Sequence, residues 1–126
     1  MRIWQIIILA ASLMAAPPLG IPSARAEAVL LMFEQDGCYW CGRWDDEIAH
    51  IYPKTEEGRI APLRRIDIHD DLPDGIDVTP RPVFTPTFVL IDDGHEVYRI
   101  EGYPGEDFFW GLLGRAIETE ITQGGS

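Results

Sequence analysis

Cys38 and Cys41 are the two cysteines of this 126-residue chain, and they stand two residues apart in Glu34-Gln35-Asp36-Gly37-Cys38-Tyr39-Trp40-Cys41-Gly42-Arg43-Trp44. An apolar run, Val29-Leu30-Leu31-Met32-Phe33, leads in, and a helical pattern, Trp44, Ile48, Ile51 and Tyr52, leads out. Strand, C-x-x-C, then helix is the setting in which such a pair does thiol redox chemistry. A cysteine at a helix start meets unpaired N–H groups and the positive end of the helix dipole, and both favour the nucleophilic thiolate. The second cysteine, one turn on, is close enough to close a disulfide. Cys41 lies on the stripe that continues through Trp44, Ile48 and Ile51, which should face the core. It therefore reads as the buried, resolving thiol and Cys38 as the exposed, attacking one.

Three blander readings compete. A structural disulfide closing so short a loop would remove little chain entropy. Half of a zinc site would want a second C-x-x-C, whereas here there are only three scattered histidines, His50, His69 and His95. Two unrelated core cysteines would not need this spacing. The histidines fall at a helix middle, a strand end and a turn, and none is assigned catalysis.

The elements that must position the pair follow from periodicity. Residues 28–33 form a near-continuous apolar run, as in a strand buried on both faces. Helix one is expected from about Tyr39 to Tyr52, with Arg43, Asp46 and His50 on its polar side. Pro53 ends or kinks it, and Gly58 closes the segment. Leu63–His69 reads as strand two. Residues 70–82 are rich in Asp, Pro and Gly and predict a loop with at most one helical turn. Val83–Ile91 is strand three and Asp92-Asp93-Gly94-His95 a hairpin turn. Glu96–Glu101 is strand four. The last helix runs from about Glu106 to Thr119 with Phe108, Phe109, Leu112, Leu113, Ala116 and Ile117 on one wide face. The expected architecture is a minimal α/β fold, β-α-β-(loop)-β-β-α, with a mixed sheet and helices on both faces.

The first 26 residues read as an export signal rather than as part of this domain. Met1-Arg2 is a positive start, Ile3 to Ala16 is apolar, and Ala24-Arg25-Ala26 is an A-x-A site for cleavage after Ala26. A retained anchor is the alternative, but the apolar run is shorter than the about 20 residues that span a bilayer. The expected mature domain, 27–126, has 100 residues, enough for one modest core. It carries 8 basic and 21 acidic residues, a net charge of −13. Such a chain does not bind nucleic acid through phosphate contacts. Export places it in a periplasm or outside the cell, where a disulfide persists.

With Thr85-Pro86-Thr87 opening strand three, these motifs resemble the thioredoxin superfamily over most of the mature chain, from Ala28 to about Glu118. The F-E-Q-x-G-C-x-x-C-x-R-W pattern of Phe33 to Trp44 resembles, more narrowly, the small exported thioredoxins of bacterial sulfur-oxidation (Sox) gene clusters. That resemblance implies a periplasmic thiol–disulfide oxidoreductase, a reductase of the carrier protein of thiosulfate oxidation, with electrons from a membrane thiol transporter. It implies Cys38 as nucleophile, Cys41 as resolving cysteine, and Pro86 as the proline preceded by a cis peptide bond. The backbone of Thr85 then faces the disulfide and pairs with substrate main chain. A cis X–Pro bond is cheap beside other cis bonds. The ordinary alternative is a proline at a strand start.

The chain departs from the thioredoxin pattern at three places. Tyr39-Trp40 stands for Gly-Pro, Gly37 for the tryptophan before the first cysteine, and Met32 for the buried aspartate that assists proton transfer. Glu34 or water is then the candidate acceptor, with a solvated strand end as the plainer reading of Glu34. Tyr39 and Trp40 are candidate docking residues for a partner or tuners of thiol access. Arg43 either stabilises the Cys38 thiolate or faces solvent. Tyr103 either borders the site or packs on the last helix. Thiol–disulfide exchange requires no metal and no organic cofactor, only the Cys38–Cys41 pair, and the protein is expected to act as a monomer on a protein disulfide. Other readings stay open: a reductase of the cytochrome c maturation type, an oxidase, a Cys/His metal-binding module, or a redox-inert adaptor docking through Tyr39 and Trp40. A histidine between the cysteines often marks oxidases, and its absence leans towards a reductase. An isomerase would need a dimerisation domain for which the chain has no room.

Overall fold

The computed structural model describes residues 15–16 and 27–124. The expected signal segment, 1–26, lies outside the described residues apart from that pair. No described helix is long and apolar enough to cross a membrane.

Four strands form one sheet in the order β2-β1-β3-β4: β1 Ala28–Glu34, β2 Leu63–Asp67, β3 Thr87–Asp92 and β4 His95–Glu101. β1 pairs parallel with β2 and antiparallel with β3, and β3 pairs antiparallel with β4. The crossover between β1 and β2 holds α1, Tyr39–Trp44, which widens into a π-type turn over Asp45–Ala49. A 3-10 turn at Tyr52–Lys54 and a short α2, Glu56–Ile60, follow. α3, Glu106–Ala116, closes the chain and runs on as a π-type turn over Ile117–Thr122.

Alternation along the strands sorts two apolar sets to opposite faces. Leu30 and Met32 of β1, Phe88 and Leu90 of β3 and Ile100 of β4 pack with Cys41, Trp44, Ile48, Phe109 and Leu113. Leu31, Phe33, Ile66, Val89 and Ile91 pack instead with Val78, Ile68, Leu72 and Ile76. The thioredoxin-like α/β class therefore holds, but one detail of the expected architecture does not. Both α1 and α3 lie on one face, and the other face is covered by segment 68–82. That segment is too rich in Asp, Pro and Gly to be helical, and its few apolar residues do the covering.

Other boundaries moved for local reasons. The helical run from Tyr39 ends at Ala49, three residues short of Tyr52, and Pro53 has no N–H to bond the Ala49 carbonyl. Gly58 does not end the segment. It is buried inside α2, where a Cβ would meet the Tyr52 carbonyl oxygen at 1.9 Å. Thr55 caps α2, its hydroxyl accepting from Gly58 N at 3.0 Å. Strand three starts at Thr87, not Val83, since Pro86 cannot donate to a ladder. Strand two ends at Asp67, whose carboxylate accepts from His69 N at 2.8 Å. The hairpin turn is as expected, with Asp93 at φ 52° and Gly94 at φ 80°. Phe108 and Leu112 are exposed, so the buried stripe of α3 is the narrower set Phe109, Leu113 and Ala116.

Candidate active site

α1 begins at the cysteine pair because Cys38 caps it. Its backbone is extended, φ −79° and ψ 106°, and its sulfur accepts from Cys41 N at 3.2 Å. Gly37, at φ 74°, turns the chain out of β1 into that cap. Cys38 and Cys41 are joined as a disulfide, with Cα atoms 5.3 Å apart. Cys41 is 5% exposed and belongs to the Trp44 core, whereas Cys38 is half-buried at the rim. The asymmetry expected from the helical stripe is thus present. The N–H at the Cys38 sulfur is also the group that would stabilise a thiolate there once the disulfide opens.

Beside the pair lies an open cleft of about 680 Å³, lined by Glu34, Asp36, Cys38, Cys41, Asp45 and Asp67, among others. Met32, in place of an acid, is fully buried. Glu34 is not a free strand end: Arg65 bonds it at 2.6 Å and Asp45 at 2.6 Å, with its guanidinium over the Trp44 ring at 5.7 Å. Arg65 sits opposite Met32 in the β1–β2 register and also reaches its sulfur, at 3.7 Å. Arg65 is therefore the ion that ties β1 and β2 to the end of α1.

Residues 83–86 are joined to the cysteine loop through Thr85. The Thr85–Pro86 peptide bond is cis, as the resemblance implied, and a second cis bond, Thr79–Pro80, was not anticipated. Gln35 Nε2 donates to Thr85 Oγ1 at 2.9 Å and so binds this loop to the cysteine loop. Tyr39 and Trp40 are 66% and 52% exposed and meet edge to face at 5.1 Å. Val83 and Phe84 are exposed as well.

Arg43 donates through Nε to Glu47 at 3.0 Å. Glu47, and after it Tyr39, raise the Arg43 guanidinium above its ordinary value. The buried Tyr103 donates its hydroxyl to the other oxygen of Glu47 and rests its ring against Phe109. Tyr103 thus packs on α3, the second of its two expected roles, and its hydroxyl reaches the turn that continues α1. The Tyr103 hydroxyl, then Arg43, hold the Glu47 carboxyl below its ordinary value. Burial, then Glu47, pushes the Tyr103 phenol up. His50 and His95 are exposed, and His69 pairs with Asp67 at 2.8 Å. Among the described residues, no group of three or more His, Cys, Asp or Glu is placed to hold a metal ion.

Sequence reasoning missed Gln35, Arg65, Glu47, Val83 and Phe84. The signal for Gln35 was its place in the F-E-Q-x-G-C pattern, and for Arg65 the charged pair Arg64-Arg65 between the apolar Leu63 and Ile66 of strand two. Val83 and Phe84 were absorbed into a strand that the proline excludes.

No family model and no curated protein matches the chain. Among solved structures, the chain is similar to the periplasmic thioredoxin SoxS from Paracoccus pantotrophus in its reduced form. The two are 55% identical with a TM-score of 0.71, over 73% of this chain and 97% of that one. The chain belongs to the periplasmic thioredoxins of the SoxS type. As a member of that family, with its C-x-x-C pair bonded at the tip of α1, it is a periplasmic thiol–disulfide oxidoreductase.

Proposed function

We propose that the protein is a reductase that keeps the cysteine of a sulfur-oxidation carrier protein reduced. The observation that carries this reading is the asymmetry of the pair: a half-buried Cys38 at the helix cap and a Cys41 sunk in the core. The Cys38 thiolate attacks one sulfur of the substrate disulfide, and the other sulfur leaves as a thiolate that takes up a proton. Cys41 loses its proton to Glu34 or water and attacks Cys38. The Cys38–Cys41 disulfide forms and the second substrate thiol departs, so two electrons pass from enzyme to substrate. A membrane thiol transporter returns the electrons by the reverse exchange. No metal or organic cofactor takes part. Thr85 and Pro86 hold the substrate main chain, and Tyr39 and Trp40 offer it an apolar surface. Export through a leader cleaved after Ala26 delivers domain 27–126, which acts as a monomer.

The test is the equilibrium reduction potential of Cys38–Cys41 in the mature protein, read by tryptophan fluorescence in defined thiol buffers. A value near or below about −230 mV supports a reductase, and one near about −120 mV turns the assignment to an oxidase. With a reducing value, the carrier protein bearing a blocked cysteine is the next substrate. Its release by wild type and its capture by Cys41→Ser as a mixed disulfide are expected.

A further inference from the structure

Thr85 differs from its neighbours in what its main chain does. The Phe84 carbonyl accepts from the Thr87 hydroxyl at 2.8 Å, and the Pro86 carbonyl accepts from Gly102 N at 2.8 Å. Thr87 lies in the ladder between Phe33 and Glu101. Among the described residues, neither the N–H nor the C=O of Thr85 has a protein partner. Unpaired donor and acceptor on one half-buried residue just before a strand make an edge onto which an extended chain can add. An edge of one residue gives a usable register only when it is held still.

What holds it is Gln35. The bond from its side-chain amide to Thr85 Oγ1 spans 50 residues of sequence, is partly buried, and engages the side chain while leaving the main chain open. No other hydrogen bond among the described residues joins 35–41 to 83–86. Gln35 also accepts, through its carbonyl, from Cys38 N at 3.4 Å. One residue thus touches the backbone of the attacking cysteine and the side chain of the residue that would receive substrate backbone.

We propose that Gln35 is a positioning residue of the exchange reaction, fixing Thr85 relative to Cys38 so that an incoming polypeptide disulfide is aligned by its main chain. This rests on the reductase reading. The chemistry it serves is an extended peptide with a disulfide, not a small disulfide, which has no main chain to align.

The experiment compares two probes with the full mature protein in its reduced form: insulin, a polypeptide disulfide, and dithiobis(nitrobenzoate), a small aromatic one. The quantity is the ratio of their second-order rate constants in single turnover. Gln35→Ala and Thr85→Val are each expected to lower the insulin-to-small-disulfide ratio by about 3- to 10-fold, as the loss of one hydrogen bond does. Thr85→Ser, which restores the hydroxyl, returns the ratio to the wild-type value. The double variant falls no further than either single one, because both remove the same bond. An unchanged ratio in both single variants, or a Thr85→Ser ratio as low as that of Thr85→Val, overturns the role of Gln35 while leaving the reductase reading intact. A wild-type protein that reduces neither probe overturns both.

Discussion

On one face of the sheet, Trp44, Phe88 and Phe109 interlock under two helices, with ring centroids 5.0–5.8 Å apart. On the other, Leu31, Phe33, Val89 and Ile91 lie under segment 68–82, which is not helical. The first face includes Cys41 and packs against Cys38, whereas the second includes neither. The second is held instead by arginines bonded to carbonyls. Arg81 reaches Ile68 O at 3.0 Å and Asp70 O at 2.7 Å, and Arg99 reaches Pro80 O at 2.7 Å. The difference teaches where rigidity is used. Large rings that cannot shift without opening a void surround the resolving thiol, and a loop suffices where only sheet side chains need cover.

Breaking the aromatic face should cost the most. Phe109 is fully buried against Trp44, Phe88, Tyr103 and Trp110. Phe109→Ala should destabilise the fold by about 3–5 kcal/mol, a large share of the about 5–15 kcal/mol such domains possess. Urea unfolding followed by circular dichroism measures it. The same substitution should speed alkylation of Cys41 in the reduced protein, because local opening of this core exposes that thiol. A variant that lost stability without faster Cys41 modification would separate the thiol from the core and undo the comparison.

The loop face should yield more cheaply. Val78, 2% exposed, covers the opposite face from segment 68–82. Val78→Ala removes two methyl groups, about 1.6 kcal/mol at 0.8 per carbon, and a loop can settle into part of the space. Urea unfolding should show a loss of about 1–2 kcal/mol, with Cys41 alkylation at the wild-type rate. An equal acceleration of alkylation in both variants would mean the sheet transmits the loss, and the two faces would not be independent.

Much of this was readable beforehand, and the reasons differ by residue. The order of elements and the Asp93-Gly94 turn follow from apolar runs and from glycine's tolerance of positive φ, both local properties. The burial of Cys41 followed from helical spacing with Trp44. Helix placement on one face did not follow, since alternation shows that a strand has two buried faces but not what buries each. The bonds of Gln35 to Thr85 and of Arg65 to Glu34 and Asp45 join residues 50, 31 and 20 positions apart. No periodicity reports such pairs. They exist because the sheet brings β1, β2 and the loop before β3 together at one end of the strands.

The smallest effect expected concerns the polar rim of the aromatic face. Glu47 joins Arg43 of α1 to Tyr103 at the corner before α3. Its carboxyl is held below its ordinary value of 4.5, first by the Tyr103 hydroxyl and then by Arg43. A group depressed in the folded state adds stability above its unfolded value, and the gain drains away as pH falls through the folded value. Glu47→Gln keeps an oxygen for the Tyr103 hydroxyl but removes the charge that pairs with Arg43. The variant should therefore melt slightly below wild type at pH 7. The gap should begin to close as pH falls below about 4.5 and vanish once wild-type Glu47 is protonated. Thermal melts of both proteins across pH 2 to 7 read this directly. A gap that stayed constant with pH would make Glu47 a packing residue and leave the rim of this face without an electrostatic clamp.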